Sequence, residues 1–319
     1  MEAGVRNKLL LVLTAILLTN ACQQNRRKII AVIPKATSHL FWVAVERGAQ
    51  QAGKEFNVEV VYNGAQSETD YSRQIQILDS MVARRVDGIA VAATESKSLV
   101  GPIDRAMKAG IPVTVFDSGI EGENYLSFVA TNNYEGGQLA ARELARLTGG
   151  HGKVGLLMNA PGSSSTMERE RGFEDVLTKE FPDLKIAARQ YGMSDRAKSR
   201  TAAENMLTAH PDLIGFFGSA EPASVGSALA IKSRGLSGKV KLVCFDSSEG
   251  LLDDLKGGAI QAMVVQDPRK MGFEAVRTIV DRLAGKSVPK RIDLSAQVIR
   301  LEDLGKPEIQ QLLTPETGK

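Results

Sequence analysis

The sequence predicts an α/β protein made of two half-molecules of the same design. Short apolar runs alternate with segments of helical periodicity from residue 29 onward, which is the pattern of a parallel sheet covered by helices on both faces. The alternation starts afresh after residue 131, and the two series share an echo: Val113-Thr-Val-Phe-Asp-Ser118 and Leu242-Val-Cys-Phe-Asp-Ser247 each end an apolar strand in Phe-Asp-Ser. At 319 residues and 43% hydrophobic content, the chain can bury two ordinary cores.

The first strand, 29–34, is six mostly apolar residues and reads as buried on both faces. Thr37 and Ser38 are expected to N-cap a helix over 41–54, with Phe41, Ala44, Val45, Gly48 and Ala52 as its apolar stripe. Trp42 lies off that stripe, and at the carboxyl end of a strand it points toward the crevice where open α/β sheets bind ligands. Strands follow over 58–63, 88–92 and 112–116, with helices over 69–84 and 97–109. After 125–131 the second series places helices at 133–147, 166–180, 196–210 and 223–234, and strands at 153–158, 185–191, 213–218 and 240–245. A strand at 261–266, a helix at 271–284 and an extended piece at 296–301 complete the chain. If that last helix packs on the first half, the chain crosses near Thr131, Gln266 and Asp293, and three crossings make a hinge rather than a loose linker.

Lys and Arg total 40 against 37 Asp and Glu, a net +3 too mild to argue for a nucleic-acid partner, and none is expected. Arg6 and Lys8 precede an apolar run, 9–18, long enough for a secretory signal and too short to span a bilayer. The run ends in Leu18-Thr19-Asn20-Ala21-Cys22, which resembles a bacterial lipoprotein signal with lipidation at Cys22; a plain secretory signal is the alternative. Residues 1–22 are thus expected to be signal and 23–28 a polar tether. Cys244, inside an apolar run, reads as a small core residue. His39, His151 and His210 are scattered, so neither a metal nor a cofactor is expected. Gly149-Gly-His-Gly-Lys153 precedes a strand instead of opening a helix, unlike a phosphate loop.

Several pieces together resemble the sugar-binding proteins of ABC importers, of the ribose-binding type. They are Ile33-Pro-Lys-x-Thr-Ser-x-x-Phe-Trp42, Val86-Asp-Gly-Ile89, Gly110-Ile-Pro-Val113, Asn132-Asn133-Tyr-Glu-Gly-Gly137, Arg169-x-x-Gly-Phe173, Thr208-Ala-His-Pro-Asp212, Phe245-Asp246 and Gln266-Asp-Pro268. The resemblance implies a type I periplasmic binding protein: two Rossmann-like lobes joined by a three-segment hinge, closing on one sugar. It implies a first lobe of 29–131 with 267–293 and a second of 132–266 with 294–319. Phe41 and Trp42 would hold the ligand ring, Ser38 or His39 would touch a hydroxyl, Asp117 and Asp246 would accept from hydroxyls, Arg169 would donate, Gln266 would sit at the hinge and reach the ligand, and Ser118, Asn133 and Ala220 would be further ligand-binding positions. Ser118 replaces an Arg of ribose binders, and Ala220-Glu221 replaces Asn-Asp, so another pentose, a hexose, a polyol or a sugar derivative is expected rather than D-ribose.

The residues alone leave other roles open. Asp117 and Asp246 are also suited to cap the next helices, Arg169 in Met167-Glu-Arg-Glu-Arg171 reads equally as a solvated face, and Asn133 and Gln266 as backbone partners. The expected protein is a monomeric, non-enzymatic solute-binding component with an ABC permease as its partner. A sensor subunit for a chemoreceptor or sensor kinase is the alternative. A LacI-type regulator would need a DNA-reading domain of about 60 residues before the first strand, where this sequence has 28 residues.

Overall fold

The computed structural model describes residues 26–313; the expected signal segment and Cys22 lie outside the described residues. The first series runs β1 (Ile29–Ile33), α1 (Leu40–Glu55), β2 (Glu59–Tyr62), α2 (Tyr71–Ala83), β3 (Gly88–Val91), α3 (Val100–Lys108), β4 (Val113–Phe116) and β5 (Ser127–Thr131). The second runs α4 (Asn133–Thr148), β6 (Gly152–Met158), α5 (Ser164–Glu180), β7 (Leu184–Tyr191), α6 (Arg196–Ala209), β8 (Leu213–Gly218), α7 (Glu221–Ser233), β9 (Lys241–Phe245), α8 (Glu249–Lys256) and β10 (Ala262–Val265). Then come α9 (Pro268–Leu283), β11 (Arg291–Leu294), β12 (Gln297–Ile299) and α10 (Pro307–Leu313).

Two six-stranded sheets result, in the orders β11-β5-β4-β3-β1-β2 and β12-β10-β9-β8-β6-β7. Every pairing is parallel except β12 with β10. The chain passes between the sheets after Thr131, after Val265 and after Leu294, so three strands of connection run side by side at the hinge. Burial on both faces is visible along β1: Ile30 and Val32 enter the core beneath α1 and α9, while Ala31 and Ile33 enter the core beneath α2 and α3.

Each lobe contains one helix pair in close contact, built by reciprocal glycines. A methyl group at Gly48 would lie 1.8 Å from the Arg269 carbonyl oxygen, and one at Gly272 2.1 Å from that of Val45, so α1 and α9 touch backbone to backbone. In the second lobe a methyl group at Gly137 would lie 1.9 Å from the Arg169 carbonyl oxygen and one at Gly172 2.1 Å from that of Tyr134, so α4 and α5 pack in the same way. This repeats the duplication at the level of packing.

Four expectations change. Helix α1 starts at Leu40 without a side-chain cap, because the Thr37 and Ser38 hydroxyls donate to the Ala65 and Gln66 carbonyls at 3.3 and 3.0 Å. Trp42 is not surplus to its helix: it is 2% exposed and packs with Val32, Val45 and Phe116. Helix α8 was not expected, since its buried face is only Leu251 and Leu255; the Ser248 hydroxyl caps it. Strand β11 and helix α10 were also not expected, being short and mostly exposed.

Candidate functional site

The carboxyl ends of both sheets face one cleft. Lys35 and His39 follow β1, Glu68 follows β2, Asp117 follows β4, Asn159 follows β6, Ala220 and Glu221 follow β8, Asp246 follows β9 and Gln266 follows β10. This is where ligands bind in open α/β sheets. Phe41 and Trp42 of α1 and Ser165, Thr166 and Arg169 of α5 complete the wall.

The two aspartates of the Phe-Asp-Ser echo are held alike. Asp117 (φ 58°) and Asp246 (φ 68°) both have left-handed backbone, an arrangement Asp tolerates better than most residues. Their amides donate to the next strand, to Val129 and Val264, each at 2.9 Å. Both are almost fully buried. The turn projects each carboxylate off the strand end into the cleft.

Their partners differ. Lys35 Nζ lies 2.9 Å from Asp117 Oδ2 and donates to Ser163 Oγ and Ser165 Oγ across the cleft at 3.1 and 3.0 Å. Among the described residues this ion pair is the one polar side-chain contact of Asp117 Oδ2. Asp246 Oδ1 accepts from Gln266 Nε2 at 2.6 Å and Oδ2 from the Glu221 amide at 3.1 Å, which serves the start of α7 where Ala220 has no capping side chain. Arg169 NH1 lies 3.9 Å from the same oxygen. Burial pushes the Asp246 carboxyl above its ordinary value, against the pull of Arg169, Gln266 and the Glu221 amide.

Arg169 is 3% exposed rather than part of a solvated face. Its Nε donates to Asn133 Oδ1 at 2.8 Å and NH1 to the Ser219 carbonyl at 3.0 Å, and its guanidinium lies 3.8 Å over the Phe245 ring. Beside it Glu170 accepts from Ser219 Oγ at 2.8 Å and the Asn159 amide at 3.2 Å; burial outweighs these bonds and pushes its carboxyl up to about 7.

The aromatic wall is set by Glu68. Trp42 Nε1 donates to Glu68 Oε1 at 2.9 Å, His39 Nδ1 lies 3.4 Å from the same oxygen, and Phe41 meets the indole edge-on at 4.9 Å. Burial would raise the Glu68 carboxyl, but His39, Lys35 and the indole hold it down at about 2. Burial alone would lower His39; Glu68 outweighs it and raises the imidazole.

Of the residues singled out in the sequence, His39, Phe41, Trp42, Asp117, Arg169, Ala220, Asp246 and Gln266 are brought together around the cleft. Three are not in its wall. Ser38 bonds Gln66 on the surface, Ser118 Oγ accepts from the Ser165 amide at 3.1 Å, and Asn133 orients Arg169 while donating to the Thr131 carbonyl at 3.0 Å. Lys35, Glu68, Asn159, Ser165 and Thr166 were missed, although most of them lie just past a strand's carboxyl end.

The space between these groups is only about 30 Å³, room for roughly one water. A larger groove of about 960 Å³ runs along the hinge side between α1, α9 and the start of α8, with Asp246 and Gln266 at its floor. The small cleft holds the convergent charges and, among the described residues, the unpartnered acceptor Asn159 Oδ1, so it is the chemical site and the groove is its flank.

Residues 30–287 match the family described as the periplasmic binding protein domain. The chain is 30% identical to the ribose import binding protein of Bacillus subtilis over 252 residues, 79% of this chain and 80% of that one. A solved carbohydrate transporter solute-binding protein from Agrobacterium radiobacter, in complex with D-arabinose, superposes with a TM-score of 0.88 at 34% identity, covering 91% of this chain and 100% of that one. A solute-binding protein from Agrobacterium vitis with bound D-fucose gives a TM-score of 0.87 at 32% identity, covering 90% and 100%. The chain therefore belongs to the periplasmic binding protein family, within its sugar-binding components of ABC importers, which are binding proteins rather than enzymes.

Proposed function

We propose that the protein captures one neutral monosaccharide or polyol of pentose to hexose size between its lobes and hands it to an ABC permease. The observation that carries this is the charge balance of the cleft. Lys35 faces Asp117, Arg169 faces Asp246 and, at the cleft's edge, Arg196 faces Glu221, while Glu68 holds the His39 ring. Among the described residues, no lysine or arginine of the cleft is left without a carboxylate to receive a phosphate or a uronate. The paired groups still have hydrogen-bonding capacity for hydroxyls, and bonds to ionised groups contribute about 1.5–3 kcal/mol each. Trp42 and Phe41 supply apolar surface for the C–H face of a sugar.

Ribose, D-arabinose and D-fucose, named for the relatives, bound the ligand class. Ser118 is turned to the Ser165 amide and Ala220 offers only a methyl, so two donors that a D-ribose site would use are missing. The cleft must open for entry and close less tightly on a sugar, because ligand pockets run to roughly 300 Å³ or more. Ligand contacts split across both lobes then shift the hinge equilibrium by their differential affinity.

A thermal-shift screen of protein unfolded and refolded to remove carried-over ligand tests this, using neutral pentoses, hexoses, polyols and sugar phosphates. A ligand at 100 times its Kd stabilises by about 2.7 kcal/mol, so one neutral sugar is expected to raise Tm. A hit confined to sugar phosphates would contradict the reading. The protein is further proposed to be a monomer, tethered through lipidated Cys22. Cys22→Ser is expected to move it to the soluble fraction; wild-type protein already soluble would refute the anchor.

A further inference from the structure

Glu68 divides its two carboxylate oxygens between the lobes. Oε1 takes the Trp42 indole and His39 of the first lobe, as described, while Oε2 accepts from Ser194 Oγ at 2.9 Å and from Asn159 Nδ2 at 3.4 Å, both of the second lobe. The receiving turn carries its own mark. Met193 (φ 56°) and Ser194 (φ 51°) are consecutive non-glycine residues in left-handed backbone, a conformation found where surrounding contacts over-determine it. The Ser194 amide donates to the Asn159 carbonyl at 3.3 Å, which fixes the two Oε2 donors relative to each other.

We propose that Glu68 is a positioning residue for ligand capture: it fixes the indole of Trp42 and couples that wall to lobe closure by drawing Ser194 and Asn159 onto its second oxygen. All four donors come from the protein, so Glu68 has little capacity left for ligand and works through Trp42. The inference goes beyond the sugar reading and rests on it only in that the lobes open and close.

Trp42 is the single tryptophan of the chain, so intrinsic fluorescence reports this one contact. The test titrates refolded wild type, E68A, E68Q and S194A with D-ribose, D-allose, D-arabinose and D-fucose, reading affinity and the change in emission. E68A is expected to lose at least tenfold in affinity and most of the sugar-induced emission change. E68Q, which keeps an acceptor for the indole, should recover part of both. S194A should weaken binding less, and should add nothing in the E68A background. Affinity within twofold of wild type and an unchanged emission response in E68A would overturn the proposal. If E68A does not fold, S194A and N159A serve instead, and wild-type behaviour in both overturns it. If no sugar binds wild type, the sugar reading fails separately. Small-angle scattering of ligand-free protein then decides: a larger radius of gyration in S194A than in wild type supports the clasp, and equal radii overturn it.

Discussion

Asp117 and Asp246 occupy equivalent corners of two similar lobes, with the same left-handed backbone and the same amide bond to the next strand, yet their surroundings diverge. Asp246 is satisfied from several directions within its lobe and the hinge: Gln266, the Glu221 amide and the nearby Arg169. Gln266 in turn accepts from Thr131 Oγ1 at 2.6 Å, which ties the carboxylate to the hinge. Asp117 has one cation, and that cation spends its hydrogen bonds on serines of the other lobe. The duplication fixes where a carboxylate goes, and the partners then divide the labour: one aspartate is built into the frame, the other belongs to the moving seam.

The largest effect that would sharpen this contrast is Arg169→Met. It strips three contacts from a buried cation and leaves Asp246 without one, so a loss of about 3–5 kcal/mol is expected in urea unfolding. Asp117→Asn keeps the shape and leaves the buried Lys35 without its carboxylate but with two serine acceptors, so a loss at the lower end of the same range, about 3 kcal/mol, is expected by the same measurement. An equal or larger loss for Asp117→Asn would break the comparison.

Gly48→Ala and Gly137→Ala compare the lobes through their helix pairs. Each forces a methyl into a carbonyl oxygen, at a cost of about 1–3 kcal/mol. Only Gly137→Ala displaces Arg169, so only it should weaken sugar binding by titration; equal effects of the two would show that the contact is purely structural.

Proton linkage offers a smaller effect. Glu170, ordinarily titrating near 4.5, is pushed up to about 7, so the folded state holds a proton the unfolded chain has released. Stability therefore falls as pH rises across that window, by at most about 1.4 kcal/mol per pH unit. Glu170→Gln should flatten the slope of urea midpoint against pH. The smallest effect is at His39, whose raised pKa makes its pairing with Glu68 present at low pH and lost as pH rises through the folded value. The stability difference between wild type and His39→Gln should shrink as pH rises above the ordinary imidazole value of about 6.5.

The alternation of strands and helices was legible because both faces of each sheet are covered, which makes strands such as β1 continuous apolar runs. Asp117 and Asp246 were legible through position, each directly after a strand's carboxyl end, whereas Trp42 reaches the cleft wall from within α1 although its expected place off that helix's apolar stripe does not hold. Lys35 shares that position and was missed as a cleft residue because its acceptors, Ser163 and Ser165, are some 130 residues away in sequence. Glu68 lies in a polar loop between Ser67 and Thr69, where nothing local distinguishes a partly buried, fully bonded carboxylate from a solvated one. Ser38 is the converse case: the resemblance implied a ligand contact for it, and its hydroxyl donates to the Gln66 carbonyl of a neighbouring loop.

The most direct test of the central claim is calorimetric titration of refolded wild type and Asp246→Ala with neutral pentoses and hexoses. The account predicts one sugar bound by wild type near micromolar Kd, about −8 kcal/mol, and at least a hundredfold more weakly by the variant. A wild type that binds none of them, or a variant that binds as well as wild type, would contradict it.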